Sequence, residues 1–408
     1  MNDPIVGTAR LKRYNTARVL DELRTGTDPQ RIVEIAERTG LTRSTVATIM
    51  EELEVDGWLQ RHEPAGSLGR PAVRFSVTPG RFHVIGVDIG LHRVVAEVAD
   101  ASGTVLSSAD AQHELHDGRA LLQLVGATID RALDGAGLTR PDVAALSIAS
   151  VGMIDHAEGR VRVIRGIDAW SDLDLTRELG RGFTCTAELD NDANLAALAM
   201  SRLDDCPPSF LTVQWGERLG AGLVLDGRLY RGPLGAAGEI GALRVVDPWS
   251  GEPAALEAVV GAERIDEVAR LVAARDPFTR LASVLGAEAA TAQVFERAND
   301  GERAAIEIVD LLADVAARAL APILLALDLH RMYITGGIAR GGEVLTAALE
   351  RRLAVGGASP IEVRLSPFTE NTVVRGAITA ALRSAWDAAL DGGLGRVDRP
   401  AEVHRAAR

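Results

Sequence analysis

The chain has only two cysteines, Cys185 and Cys206, and a single lysine, Lys12, in 408 residues. Two isolated thiols cannot build a disulfide framework or a four-thiolate zinc centre, and their scarcity suits a reducing, cytoplasmic compartment. With one lysine, nearly all positive charge is arginine, a bias of base composition rather than of mechanism. No run approaches the ~18 consecutive apolar residues of a membrane span, so no membrane partner is expected. The opening MNDPIVGTARLKRYNTARVL carries no apolar block ending in a small-residue cleavage site, so no secretory leader is expected either. What is present is 47% hydrophobic residues, over a length that suits two or three domains with real cores.

The net charge of −13 argues at first against a nucleic-acid partner. Its distribution matters more than its sum. Residues 1–82 hold 12 Arg or Lys against 11 Asp or Glu, so the whole negative excess lies in the remainder. Between Arg61 and Arg81 there are four arginines and one acid, Glu63. A nearly neutral head on an acidic body permits a small DNA-binding module there without proving one.

The head reads as three helices and a hairpin. Val19, Leu20 and Leu23 fall at helical spacing in Tyr14–Arg24, and TGTDP then stops the helix. A second helix is expected from Pro29 to Thr39, where Gly40 suits the left-handed turn between helices. Thr42 is a natural N-cap for a third helix, on which Val46, Ile49, Met50 and Leu53 make one apolar stripe. Arg43, Ser44, Ala47 and Thr48 occupy the opposite face. That pattern fits a helix-turn-helix whose second helix enters the major groove, with Arg43 able to grip guanine bidentately. The same spacing also suits a plain three-helix bundle with a solvated face. The segments LQRHE and AVRFSVT, joined by PAGSLGRP, favour the first reading. They form a wing whose Gly69-Arg70-Pro71 tip is narrow enough to put Arg70 into a minor groove.

From Val84 the pattern changes to α/β. VIGVDIG, RVVAEVAD and TVLSSAD read as three strands, followed by a helix over 119–133 and the strand VAALSIASVG. The theme recurs as SFLTVQWG, the hairpin GAGLVLDGRLY turning at Asp226-Gly227, a long helix over 302–327, RMYITGG, a helix from Glu343, IEVRLS and a closing helix from Asn371. Two α/β lobes with a cleft between them are expected, divided at about 83–190 (with the closing helix, about 371–390) and 191–370. Residues 391–408 read as a polar tail.

LDNDANLAALAM (189–200), GAGLVLDGRLYRGPLGAAGEIG (220–241) and YITGGIARGGEVL (333–345) carry a resemblance to the ROK family of repressors and sugar kinases. TGLTRSTV and the Gly-Arg-Pro wing are similar to its repressor branch. The resemblance implies an N-terminal winged helix-turn-helix on an actin-like, hexokinase-like (ribonuclease-H-like) body, with sugar in the interlobe cleft. Asp192 matches the family's catalytic aspartate, and Glu239 and Glu257 match sugar-site glutamates. Asn191 and Asp192, read alone, equally suit a helix N-cap, and either glutamate equally suits a surface acid. The first phosphate loop of the kinases reads roughly Asp-x-Gly-Gly-Thr, but here it is Asp88-Ile89-Gly90-Leu91-His92. The second, usually Gly-Thr-Gly-Ile-Gly, is Gly216-Glu217-Arg218-Leu219-Gly220. A leucine Cβ where phosphates need backbone amides, and a carboxylate beside a triphosphate, both work against ATP. Ala242 stands at the family's zinc-ligand histidine and DPWSGEPAALE has no cysteine, so no metal is expected, and no cofactor.

Taken together, a sugar-responsive repressor is expected, without catalysis, acting as a homodimer or homotetramer on operator DNA. DNA would be read by Arg43, Ser44, Ala47, Thr48 and Arg70. A sugar or sugar phosphate would be held by Asn191, Asp192, Glu239 and Glu257. A regulator that binds no ligand, or an active ATP-dependent sugar kinase, are the alternatives.

Overall fold

A computed structural model describes residues 4–25, 29–62, 73–156, 158–163, 167–275, 290–354 and 360–391. The head comprises α1 (Pro4–Thr25), α2 (Ile32–Thr39), α3 (Arg43–Val55) and the antiparallel strands β1 (Leu59–His62) and β2 (Arg74–Val77). Helix α1 begins well before Tyr14. Helix α2 starts at Ile32 rather than Pro29, because the backbone of Gln30 exchanges two 2.8 Å hydrogen bonds with Phe75 of β2. Gly40 ends α2 at φ 66°, as the tight turn requires. The wing tip with Arg70 lies outside the described residues, as does the tail from residue 392.

The next segment builds β3 (His83–Ile89), β4 (Arg93–Asp100), β5 (Val105–Gln112), α4 (Gly118–Ala136), β6 (Val143–Ser150), β7 (Met153–Asp155), β8 (Arg160–Val163), α5 (Leu175–Leu179) and β9 (Ala187–Asn191). Five of these strands form one sheet in the order β5-β4-β3-β6-β9, antiparallel from β3 to β5 and parallel from β3 to β9. Leu121, Val125 and Ile129 of α4 cover one face.

Then follow α6 (Asp192–Met200), β10 (Phe210–Trp215), β11 (Leu219–Leu225), β12 (Arg228–Leu229), β13 (Arg244–Val246), β14 (Pro253–Ala255), α7 (Leu256–Val260), α8 (Ala262–Arg275), α9 (Ala290–Asn299), α10 (Arg303–Ala326), β15 (Arg331–Thr335), α11 (Gly342–Leu353) and β16 (Glu362–Leu365). The second sheet runs β12-β11-β10-β15-β16, again antiparallel over its first three strands and parallel over the rest. Both sheets therefore share one plan, as the repeated strand triplets imply. Asp226 (φ 49°) and Gly227 (φ 74°) form the expected hairpin turn. The Ala-rich run of α10 is core: Ala316, Ala317, Leu320 and Leu324 are buried in the second unit.

The closing helix α12 (Thr372–Asp391) joins all three parts. Ile378, Ala381 and Ala385 pack on Val84, Ala99 and Ala145 of the first sheet. Val373 and Ala377 pack with Leu195 and Ala196 of α6. At Gly376 the two helices are so close that a Cβ would collide with the Leu195 carbonyl. At its far end Trp386, fully buried, enters the head's core. Its ring lies 5.2 Å from that of Trp58 and 5.1 Å from that of Phe82, with Arg81 stacked 4.1 Å over Trp58. Arg13 of α1 also pairs with Asp391. The head is thus packed onto the body through a shared aromatic core rather than hung from a linker. Among the described residues no helix is long and apolar enough to cross a membrane.

Candidate functional site

On the head, α3 is built to present one face. Thr42 Oγ1 accepts from the Thr45 N–H at 3.2 Å, satisfying an end group of the helix. Val46, Ile49, Met50 and Leu53 are buried, which turns Arg43, Ser44 and Thr48 to solvent and leaves Ala47 half-buried beside them. The turn before α3 is held from below: Thr39 Oγ1 donates to the Ile35 carbonyl at 2.6 Å, and Arg18 of α1 donates to the Thr39 carbonyl. Four of the five residues expected at the DNA therefore share one face of a fixed helix. Arg43→Ala should weaken binding to specific DNA about 5- to 100-fold, the worth of one bidentate base contact. Because Arg43 is exposed, the melting temperature should not move; fluorescence anisotropy and a thermal melt of the same variant check both halves.

In the body, the parallel strands β3, β6 and β9 end together, with Ile89 opposite Ser150 and Ser150 opposite Asn191. Ligands in such sheets bind at the carboxyl ends of strands. Asp88 is the penultimate residue of β3, and the Asn191–Asp192 pair passes from β9 into α6. In the second sheet, the turn over residues 216–218 leaves the carboxyl end of β10 for β11, and a Cβ at Gly336, after β15, would press on Trp215. His92 Nε2 meets Glu217 Oε2 at 2.8 Å, so the two sheets face each other with these loops in contact.

The side chains differ in what they have left to offer. Asn191 is the N-cap of α6: its Oδ1 accepts from the N–H groups of Ala193 and Asn194, and its Nδ2 donates to the Gly152 carbonyl at 2.9 Å. Asp192 Oδ1 accepts from the Ala193 N–H at 2.9 Å. The Asp192 carboxyl is pushed up to about 6, chiefly by burial, with hydrogen bonding from the Ala193 N–H opposing and the charge of Glu239 adding. Asp88 is pushed up to about 7 by burial and by the charge of Asp192, against the attraction of Arg93. Glu239, although exposed, is pushed up by partial desolvation within the site and by the charge of Glu257. These acids thus lie within electrostatic reach in succession, from Asp88 through Asp192 and Glu239 to Glu257. Crowded carboxylates are relieved by taking up a proton or by accepting hydrogen bonds that stabilise the charge, and a sugar supplies a ring of hydroxyl donors. Glu257 is committed elsewhere, since its two oxygens accept from Leu219 N–H at 2.9 Å and from Arg218 at 3.3 Å. It braces the second loop.

Asp88 is the residue that reading the sequence passes over as a ligand, because it was visible only as the start of a degenerate phosphate loop. Its elevated pKa has a consequence that can be measured. A carboxyl held above its ordinary 3.8 contributes stability that is present below that value and lost as pH rises through about 7. Asp88→Asn should therefore melt above the parent protein near pH 8, and the gain should shrink steadily as pH falls towards 4. A constant difference across paired thermal melts would count against the crowded-carboxylate account.

Residues 84–383 match the profile of the ROK family, and residues 15–63 match that of the IclR helix-turn-helix domain. The chain belongs to the ROK family. It is 26% identical over 282 residues to a glucokinase of Halalkalibacterium halodurans, covering 65% of this chain and 84% of the enzyme. Over 352 residues it is 23% identical to the DNA-binding transcriptional dual regulator NagC of Escherichia coli K12, covering 83% of this chain and 84% of NagC. The solved structure of a ROK family transcriptional regulator, a homologue of the E. coli MLC protein, superposes with a TM-score of 0.74 at 22% identity, covering 94% of this chain and 98% of that one. The fold is thus that of a ROK body carrying an N-terminal helix-turn-helix.

Proposed function

We propose that the chain is a sugar-responsive DNA-binding transcription regulator, a repressor of carbohydrate genes, whose body senses and does not phosphorylate. The observation that carries this reading is the contact between His92 and Glu217 at 2.8 Å. These two residues stand in the loops where ROK kinases hold ATP phosphates, and here they hold each other. His92 is exposed and Glu217 partly so, and the pair therefore adds little to stability. Its significance is position. With Arg218 drawn to Glu257, the second loop is occupied by the protein's own charges. The likeness to NagC, over 83% of this chain, supports a regulator.

In this reading residues 1–82 form the DNA-binding head, with Arg43, Ser44, Ala47 and Thr48 in the major groove and Arg70 at the wing. The segment 83–190 with the closing helix forms one lobe and 191–370 the other. Asp192 and Glu239 accept hydroxyl hydrogen bonds from the effector, Asn191 fixes the helix end between them, and Glu257 orders the neighbouring loop. The glucokinase relative points to a hexose or its phosphate as effector. Two heads on a homodimer or homotetramer would meet paired half-sites, about one or more helical turns apart. Sugar acts only if it favours one arrangement of the lobes over another.

The glucokinase likeness and the surviving Asp192 support the competing kinase reading. A coupled assay with ATP and a hexose panel separates the two. No phosphorylation above the protein-free rate is expected, and sustained turnover with any hexose would overturn the sensor-only reading. A thermal-shift screen with the same sugars should find at least one that stabilises the protein, whereas a flat response would favour a ligand-free regulator.

A further inference from the structure

One carboxylate beside the proposed sugar site is fully engaged inside the protein. Asp190, on β9 of the first sheet, is buried, its side chain only 6% exposed. Its Oδ1 accepts from the Asn191 N–H and from Asn194 Nδ2 of α6, both at 2.8 Å. Its Oδ2 accepts from Nε and Nη2 of Arg231, at 2.8 and 2.6 Å. His156, which follows β7, brings Nε2 to 3.6 Å from Oδ1, longer than a hydrogen bond. A carboxylate this far out of water is stable as an anion only with such donors, and removing one leaves its charge uncompensated.

The two partners belong to different parts of the fold. Asp190 immediately precedes the Asn191–Asp192 pair, whereas Arg231 lies just past β12 of the second sheet and opens the segment that ends at Glu239. That segment is closed on itself, since the Ala237 N–H donates to the Arg231 carbonyl at 3.2 Å. Gly235 and Gly238, at φ 70° and 91°, let it press on backbone at either side. A Cβ at Gly235 would collide with the Ile154 carbonyl of β7, and one at Gly238 with the Ala221 carbonyl of β11. With so little slack, a displacement of Arg231 carries to Glu239, whose charge is felt at Asp192. The Asp190–Arg231 pair is thus a direct polar tie between the stretch that carries one acid and the stretch that carries the other.

We propose that Asp190 and Arg231 are positioning residues for the effector: their pairing holds segment 231–239 against the start of α6 and so sets the spacing of Asp192 and Glu239, the acids that meet the sugar. This inference rests on the sugar-sensing reading above. Both residues act through others and need not touch the sugar. Two N–H groups converging on one oxygen fix the plane of the guanidinium as well as its distance, whereas a lysine ammonium keeps the charge without that orientation. A sugar registers such a change because each hydroxyl hydrogen bond weakens outside a narrow range of length and angle.

The test uses the full chain, titrated calorimetrically with glucose, galactose, mannose and their 6-phosphates. Arg231→Lys should weaken binding of the preferred member roughly 10-fold, with DNA affinity in the absence of sugar unchanged. A double-mutant cycle with Glu239→Gln then separates positioning from mere support. If Arg231 acts through Glu239, Arg231→Lys should lose most of its effect once Glu239 is already changed, whereas a purely structural tie would multiply the two losses. The paired change Asp190→Asn with Arg231→Gln removes both charges, so it leaves no buried ion unpaired and should fold even where the single substitution does not. It should bind sugar at least as weakly as Arg231→Lys. Parent-like affinity in either variant, or losses that multiply in full, would overturn the proposal. A parent protein that binds no member of the panel would refute the sugar-sensing reading and the proposal with it, an outcome told apart because it appears before any substitution is made.

Discussion

Asp192→Asn is expected to abolish the response of DNA binding to sugar while leaving sugar-free DNA binding intact. The amide keeps the size of the side chain and one acceptor oxygen but loses the charge that strengthens a hydroxyl hydrogen bond. Loss of a hydrogen bond to a charged partner is worth about 1.5–3 kcal/mol, so sugar affinity should fall about 10- to 100-fold. The variant should also be at least as stable as the parent near neutral pH, because burial and Glu239 both disfavour the charged form there. Paired titrations, one following sugar by thermal shift and one following DNA by anisotropy, check the two halves. Unchanged sugar affinity would remove Asp192 from the binding site and return it to the role of helix-opening residue.

Trp386→Ala should have the largest effect on stability of any single change in α12. The side chain is fully buried between Trp58 and Phe82, and removing it opens the core that head and body share. Large-to-small changes of this kind cost about 3–5 kcal/mol. The loss should fall on the head, which should melt below the body in a separate step. Sugar should still bind the cleft but no longer alter DNA affinity, since the head has lost its hold on α12. Trp386→Phe provides the control. Among the described residues the buried indole N–H meets no hydrogen-bond partner, so phenylalanine keeps the aromatic contact and removes an unsatisfied donor. It should cost far less than alanine and preserve the sugar response. A single cooperative melt for Trp386→Ala, with coupling intact, would mean that the head is held chiefly by other contacts.

Local patterns were legible where one short stretch determines its own geometry. The buried stripe of α3 shows in the spacing of Val46, Ile49, Met50 and Leu53, and the Asp226-Gly227 turn shows in two residues. The paired strand triplets were readable because each has a bounded apolar run. What was not legible depends on partners far along the chain. The start of α2 is set by Phe75, which takes the backbone of Gln30. His92 and Glu217 are separated by 125 positions, and nothing local to either announces the pairing. Glu257 read as a sugar-site glutamate or a surface acid, and only the fold brings Leu219 and Arg218 to its oxygens. The seating of Trp386 in the head follows from the path of α12 across the first sheet, which no periodicity reveals. The short strands of β7, β8, β13 and β14 and the helices α7, α8 and α9 also went unread, lacking the long apolar runs that marked the two sheets.

The measurement that tests the central claim most directly is binding of the purified chain to the DNA upstream of its own coding region, by fluorescence anisotropy at fixed salt, with and without a panel of sugars and sugar phosphates. The account predicts binding well above that to scrambled DNA, and a change in affinity on adding one member of the panel. Binding no stronger than to scrambled DNA, whatever sugar is present, would contradict it.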